Sequence, residues 1–115
     1  MVIAIIGSRT FNNYALLKSE VDKVAADNPI SLIVSGGAIG ADKLGERYAV
    51  EHSVDKLVLK PDWNRFGKSA GFIRNKDIVD NADTVIAFWN GESKGTKHSI
   101  DYARKLGKQV IIFNF

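Results

Sequence analysis

Five short apolar runs, rich in valine and isoleucine, alternate along the chain with stretches in which apolar positions recur every three or four residues. Val2 to Ile6, Ile30 to Val34, Lys56 to Leu59, Thr84 to Phe88 and Gln109 to Phe113 are nearly continuous in hydrophobicity, as strands covered on both faces require. A first helix is expected to open at Asn12 or Asn13, either of which can cap it. It carries Tyr14, Leu17, Val21, Val24 and Ala25 on one stripe and ends at Asn28-Pro29. A second opens near Gly40 to Asp42 with Ala41, Leu44, Tyr48 and Ala49 inward. A third runs from about Ala70 to Ala82 with Ile73, Ile78, Val79 and Ala82 inward. A fourth spans about Thr96 to Leu106 and stops at Gly107. The segment from Lys60 to Ser69 is the one long irregular connection, and loops of that length in small domains tend to be functional. The pattern βαβαβαβαβ predicts an α/β fold with a parallel sheet and ligands outside the carboxyl ends of the strands.

Composition narrows the reading without redirecting it. A chain of 115 residues with 45% hydrophobic and 25% charged residues is expected to fold as one domain over residues 1–115. It contains no cysteine, which excludes disulfides, thiolate metal sites and cysteine nucleophiles and suits a cytoplasmic location. The first apolar run is far too short for a membrane span and lacks a basic flank, so no membrane association is expected. Sixteen Lys and Arg against thirteen Asp and Glu leave a charge of +3, on which nucleic acid is expected to be an unlikely partner.

The chemistry gathers at the predicted strand ends. Gly7-Ser8-Arg9-Thr10 follows the first strand with one glycine where a dinucleotide fold has three. The GxGxxG fingerprint is therefore absent, and the turn offers instead two hydroxyls and the forked donor of Arg9. A plain capping turn with a solvated arginine is the alternative. Ser35-Gly36-Gly37-Ala38-Ile39-Gly40-Ala41-Asp42 leads directly into the second helix, where bare backbone and a positive helix end favour an anion. Close strand-to-helix packing would explain the same glycines. Trp63 and Phe66 interleave with Arg65 and Lys68, as suits a base stacked on a ring beside neutralised phosphates, or else they pin the loop as hydrophobic plugs. Arg74 lies in the early turns of a helix, where a cation is better explained by a bound anion or an acidic partner than by propensity.

Trp89 to Ser99 adds two glycines, Thr96 and two lysines at a further helix start. Eight of the sixteen basic residues (Arg9, Lys43, Lys60, Arg65, Lys68, Arg74, Lys94 and Lys97) lie in or beside these loops. His52 and His98 have no partner at metal-ligand spacing and read as surface residues, so no metal site is expected. Among Asp42, Glu46, Asp62, Glu92 and Asp101 no carboxylate pair stands out, and Glu46 reads as solvated.

In order and spacing, Gly7-Ser8-Arg9-Thr10-Phe11, Ser35 to Asp42, Gly71-Phe72-Ile73-Arg74-Asn75 and Gly95-Thr96 resemble the YspA/YpsA-related (DUF2493-type) group of the SLOG superfamily, over essentially the whole chain. The resemblance implies a three-layer Rossmann-like domain with a five-stranded parallel sheet, order 3-2-1-4-5. It also implies a nucleotide-binding cleft and a homodimer or higher homo-oligomer. The superfamily includes cytokinin-activating phosphoribohydrolases and single-strand DNA-binding proteins of the DprA type. In the former a PGGxGTxxE motif supplies a catalytic glutamate; Gly95-Thr96 resembles its Gly-Thr, and Ser99 then stands where the glutamate would be. A serine cannot serve as that acid, which speaks against N-glycosidic hydrolysis.

The expected function is therefore binding, by sensing or sequestration, of a phosphorylated nucleotide-derived ligand of the ADP-ribose or NAD class, with no cofactor required. Gly7, Ser8, Ser35, Asp42 and Asn75 are expected to line the site. Amides of Gly36, Gly37 and Gly40 hold a phosphate that Arg9 and Arg74 neutralise, Gly95 and Thr96 take a second phosphate or ribose, and Trp63 or Trp89 stacks on the base. The alternatives are a nucleotide N-glycosidase using Arg74 with Glu92 or Asp101, and, ranked last, single-stranded DNA binding in the manner of DprA.

Overall fold

Strand β1 (Val2–Gly7) runs through the middle of the sheet, hydrogen-bonded on one side to β2 (Leu32–Ser35) and on the other to β4 (Thr84–Trp89). In the computed structural model, which describes residues 1–115, β3 (Asp55–Val58) and β5 (Gln109–Asn114) form the edges. All pairings are parallel and the order is β3-β2-β1-β4-β5, as the family resemblance implies.

Helices α1 (Tyr14–Asp27) and α2 (Ala41–Glu51) cover one face; α4 (Ala70–Asp80) and α5 (Lys94–Lys105) cover the other. Alternation along the central strands feeds both layers. Ile3, Ile5, Ile33, Ile86 and Phe88 pack with Leu17, Val21 and Tyr48, while Ala4, Ile6, Val34, Val85 and Ala87 pack with Ile78, Val79 and Ile100. These side chains are almost all fully buried, which accounts for the unbroken apolar runs of β1 and β4. No helix is long and apolar enough to cross a membrane.

Local chemistry sets the boundaries. Asn13 caps α1 by accepting from the Leu16 amide at 3.1 Å, as expected. Gly107 stops α5 in the left-handed region at φ 73°.

Three expectations need correction. The second strand begins at Leu32 rather than Ile30, because Pro29 has no amide to give and its carbonyl is held by the chain's amino group at 3.0 Å. The connection after β3 is not irregular throughout: Asp62 accepts from the Arg65 amide at 3.1 Å and starts a one-turn helix α3 (Trp63–Phe66), followed by a 3-10 turn (Gly67–Ser69). Helix α5 starts two residues before Thr96, capped by Ser93.

Candidate functional site

At the carboxyl ends of β1 and β4, where the chain turns away to different layers, lies a hollow of about 200 Å³. Arg9 reaches it from the β1–α1 turn, Arg74 and Asn75 from α4, Asp42 from the start of α2, and Ser93, Gly95 and Thr96 from the start of α5. Two guanidinium groups, a carboxamide and a helix N-terminus thus converge on one small polar space. A larger groove of about 430 Å³ lies between α1 and β5 and has no such convergence of donors.

Arg74 is positioned by backbone. Its Nη1 donates to the Gly36 carbonyl at 2.7 Å and to the Leu59 carbonyl at 3.5 Å, and its Nε donates to the Asn75 carboxamide at 3.0 Å. Asn75 in turn donates to the Gly95 carbonyl at 3.3 Å, so the ends of β2, β3, α4 and α5 are tied through one side chain and its neighbour. Burial and the nearby charge of Arg9 both lower the pKa of Arg74, and Asp42 partly offsets them. Two cations held near each other without a direct counter-ion are an arrangement that an anion relieves.

Asp42 is 7% exposed. It accepts from the Ala38 amide at 3.2 Å and forms no ion pair with Arg74, although both groups flank the α-carbon of Gly36. Burial pushes its carboxyl up to about 6; the Ala38 hydrogen bond and the charge of Arg74 pull the other way, and Glu46 adds to the rise. The pocket therefore holds a carboxyl that titrates near neutrality.

Several residues expected in the site are fully employed elsewhere. Ser8 is buried, donates its amide to Phe88 at 2.9 Å and accepts from the Asn90 amide at 3.1 Å through its hydroxyl, so it braces the β4–α5 loop. The hydroxyl of Ser35 donates to Glu46 at 2.7 Å, and Glu46 is buried rather than solvated. The expected amide cradle of Gly36, Gly37 and Gly40 is not part of the lining of this hollow. Gly40 sits at φ 88° with its α-carbon pressed against the Ser8–Arg9 backbone, and the Ala41 amide at the start of α2 points to the Ser8 carbonyl at 3.4 Å. Gly37 packs on Val58 and Lys60, and Gly36 offers Arg74 its carbonyl. These three positions pack closely against their neighbours, and the first turn of α5, with Gly95 and Thr96, opens on the hollow beside Asp42 of α2.

Of the remaining candidates, Gly7 lines the hollow and lies so close to the Phe88 carbonyl that a β-carbon would stand 2.2 Å from it. Trp89 is half-buried, donates its indole N–H to the Ser93 carbonyl at 3.1 Å and supports the loop from behind. Trp63 is 58% exposed on α3, outside the hollow. Glu92 is exposed on its loop and Asp101 pairs with Lys97 at 2.7 Å, so neither carboxylate joins Arg74. Ser99 is buried and donates to the Gly95 carbonyl at 3.2 Å. Ser93 and Ser99 are polar lining residues that sequence reasoning missed, along with Ile6, Ala38 and Ile78; for Ser93, its position three residues before Thr96, ahead of a helical stripe, was the available capping signal.

Comparison with known proteins places this geometry. The model of the YspA, cpYpsA-related SLOG family matches residues 1–66. Gene 61 protein of Mycobacterium phage D29 is 34% identical over 118 residues, covering 96% of this chain and 94% of the phage protein. Among solved structures, DNA processing protein A from Helicobacter pylori, described for its single-stranded DNA binding mode, superimposes with a TM-score of 0.75 at 22% identity. It covers 97% of this chain and 64% of its own. DNA processing protein A from Streptococcus pneumoniae gives a TM-score of 0.75 at 18% identity, covering 96% of this chain and 49% of its own. This chain thus spans about half to two-thirds of those two structures, and the likeness is one of fold. The expectation that nucleic acid is an unlikely partner is overturned here. The same fold serves DNA processing proteins, one of which is described by how it binds single strands, so a charge of +3 does not set such a partner aside.

Proposed function

Because the chain belongs to the YspA, cpYpsA-related SLOG family, we propose that it binds single-stranded nucleic acid by seating a backbone phosphate in the hollow between Arg9, Arg74 and the start of α5. The observation that carries the proposal is that both guanidinium groups and Gly95, in the first turn of α5, line one space of phosphate size. The single-stranded DNA binding of a structural neighbour with this fold supports it. Arg9 is the exposed donor, and Arg74 is the one fixed by carbonyls. Lys43 and Lys94 in the first turns of α2 and α5, with Lys60, Arg65 and Lys68 between β3 and α4, belong to the connections at the carboxyl ends of the strands and supply the longer-range attraction that a polyanion feels.

Anisotropy of a labelled oligothymidylate, titrated at several salt concentrations, tests the proposal. The expected result is saturable binding that weakens steeply with salt, since each neutralised phosphate contributes roughly −0.7 to the log–log slope for single strands. Failure to bind at low salt overturns it.

A second reading, a free phosphorylated nucleotide-derived ligand of the ADP-ribose or NAD class, is favoured by the small volume of the hollow, which accommodates one phosphate with its nearest substituents. Competition of ADP-ribose and nucleoside monophosphates against the oligonucleotide separates the two. The hydrolytic alternative has less to stand on, because Ser99 is tied to the Gly95 carbonyl and Glu92 and Asp101 lie outside the hollow.

A further inference from the structure

The two edges of the sheet are built differently. Strand β3 is four residues long and opens with exposed Asp55 and Lys56, a short charged edge of the kind that resists further pairing. Strand β5 is six residues long and carries Val110, Ile111, Ile112 and Phe113 in succession, yet all four are only half-buried. Ile111 and Phe113 belong to the α1 side and Val110 and Ile112 to the α5 side, so apolar surface is open on both faces of the same edge. Beside it runs the groove of about 430 Å³, with Val24, Ile111 and Phe113 in its apolar lining and Glu20, Lys23 and Asp27 contributing charges of both signs from α1. Phe115, just past the strand, is 48% exposed.

We infer that a second copy of this chain pairs with β5, antiparallel about a two-fold axis perpendicular to the sheet, joining two five-stranded sheets into one. The edge and the groove choose this occupant together. Such an axis keeps the α1 side on the α1 side, and pairing centred on Ile111 or Ile112 sets odd-numbered residues against odd and even against even. Centred on Ile112, Ile111 faces Phe113 of the other copy and Ile112 faces Ile112; centred on Ile111, Val110 faces Ile112 and Ile111 faces Ile111, so in either register apolar residues meet on both faces of the junction. The charges of α1 suit the same symmetry. A lip carrying Asp27 and the Lys23–Glu20 ion pair, 3.1 Å apart, presents both signs to its own reversed image, whereas a lip of one sign would repel itself. Because the strands reverse, the two phosphate pockets lie at opposite ends of the joined sheet. The inference is independent of what those pockets bind.

The absence of cysteine makes the test direct, since a single introduced cysteine can form only intermolecular disulfides. Light scattering of the wild type across a dilution series is expected to give a dimer mass. Mild oxidation is expected to cross-link Ile111→Cys or Ile112→Cys, because residues facing each other across an antiparallel pair lie within disulfide reach. Lys56→Cys on the opposite edge is expected to stay uncoupled, and Ile112→Lys to shift the mass toward the monomer. A wild type that is monomeric at every concentration overturns the inference. So does a dimer in which neither β5 cysteine cross-links, or in which Lys56→Cys cross-links equally well; these readouts stand even if the lysine variant does not fold.

Discussion

Arg9 and Asp42 oppose each other across the same hollow and invite opposite substitutions. Arg9 is exposed and makes no hydrogen bond or ion pair within the chain, so Arg9→Ala is expected to leave the melting temperature unchanged. Its effect should fall on binding: a lost charge-assisted contact of about 1.5 kcal/mol is roughly a tenfold weaker oligonucleotide affinity, with a shallower salt slope, both read by anisotropy. Asp42 is the buried charge that the fold tolerates at a cost. A carboxyl moved from its ordinary 3.8 to about 6 by burial lends stability that is fully present below pH 3.8 and lost as pH rises through 6. Asp42→Asn is therefore expected to raise unfolding free energy at pH 7.5 by roughly 2–3 kcal/mol and to change it little near pH 4, as denaturant titrations at the two pH values would show. A phosphodiester does not titrate in this range, so wild-type affinity for oligonucleotide should rise as pH falls through 6, and the variant should lose that rise. Arg9, Arg74 and Thr96 could be placed in the site from residue type and spacing. Ser8 could not be set aside, because the amide that occupies its hydroxyl comes from Asn90, 82 positions away; Ser35 and Trp89 are occupied from within their own connections, by Glu46 on α2 and by the Ser93 carbonyl, which residue type alone does not announce.

At the scale of elements, two glycines with similar φ separate strain from crowding. Gly40 (φ 88°) would bring a β-carbon within 2.5 Å of the Ser8 carbonyl, while Gly91 (φ 82°) has open space around it. Gly91→Ala should cost about 1 kcal/mol from the left-handed conformation alone, and Gly40→Ala about 3–5 kcal/mol because β1's end cannot move aside; urea unfolding measures both. Lys108 closes another junction, donating to the carbonyls of Val79 at 2.7 Å, Asp80 at 3.2 Å and Ala82 at 2.7 Å. Lys108→Met keeps the apolar stem and removes the donor, and a loss of about 2 kcal/mol is expected in the same measurement. The long helices and the central strands were legible because their apolar period extends over many residues. Helix α3 was not, since four residues carry no period and only the cap at Asp62 announces it. Lys108 likewise reads as one more surface lysine until α4 and β5 are brought together.

For the whole molecule, alternation of strand and helix was enough to read a parallel α/β sheet, and the family resemblance supplied the order of strands that the structure has. Net charge was the weaker guide: half of the cations lie in or beside the connections at one end of the sheet, and a small overall excess does not set nucleic acid aside as a partner. The position of β1 has a further consequence. Its register with β4 joins Ile3 to Thr84, and the Val2 amide donates at 2.8 Å to Asp83, 81 positions along the chain. Until that distant segment arrives, Ile3, Ile5 and Ile6 belong to an incomplete, sticky intermediate with one flank bare. Refolding should therefore be limited by long-range chain closure, slower than a helical bundle of equal size, and a nascent chain halted before Thr84 should depend on holdase chaperones to stay dispersed.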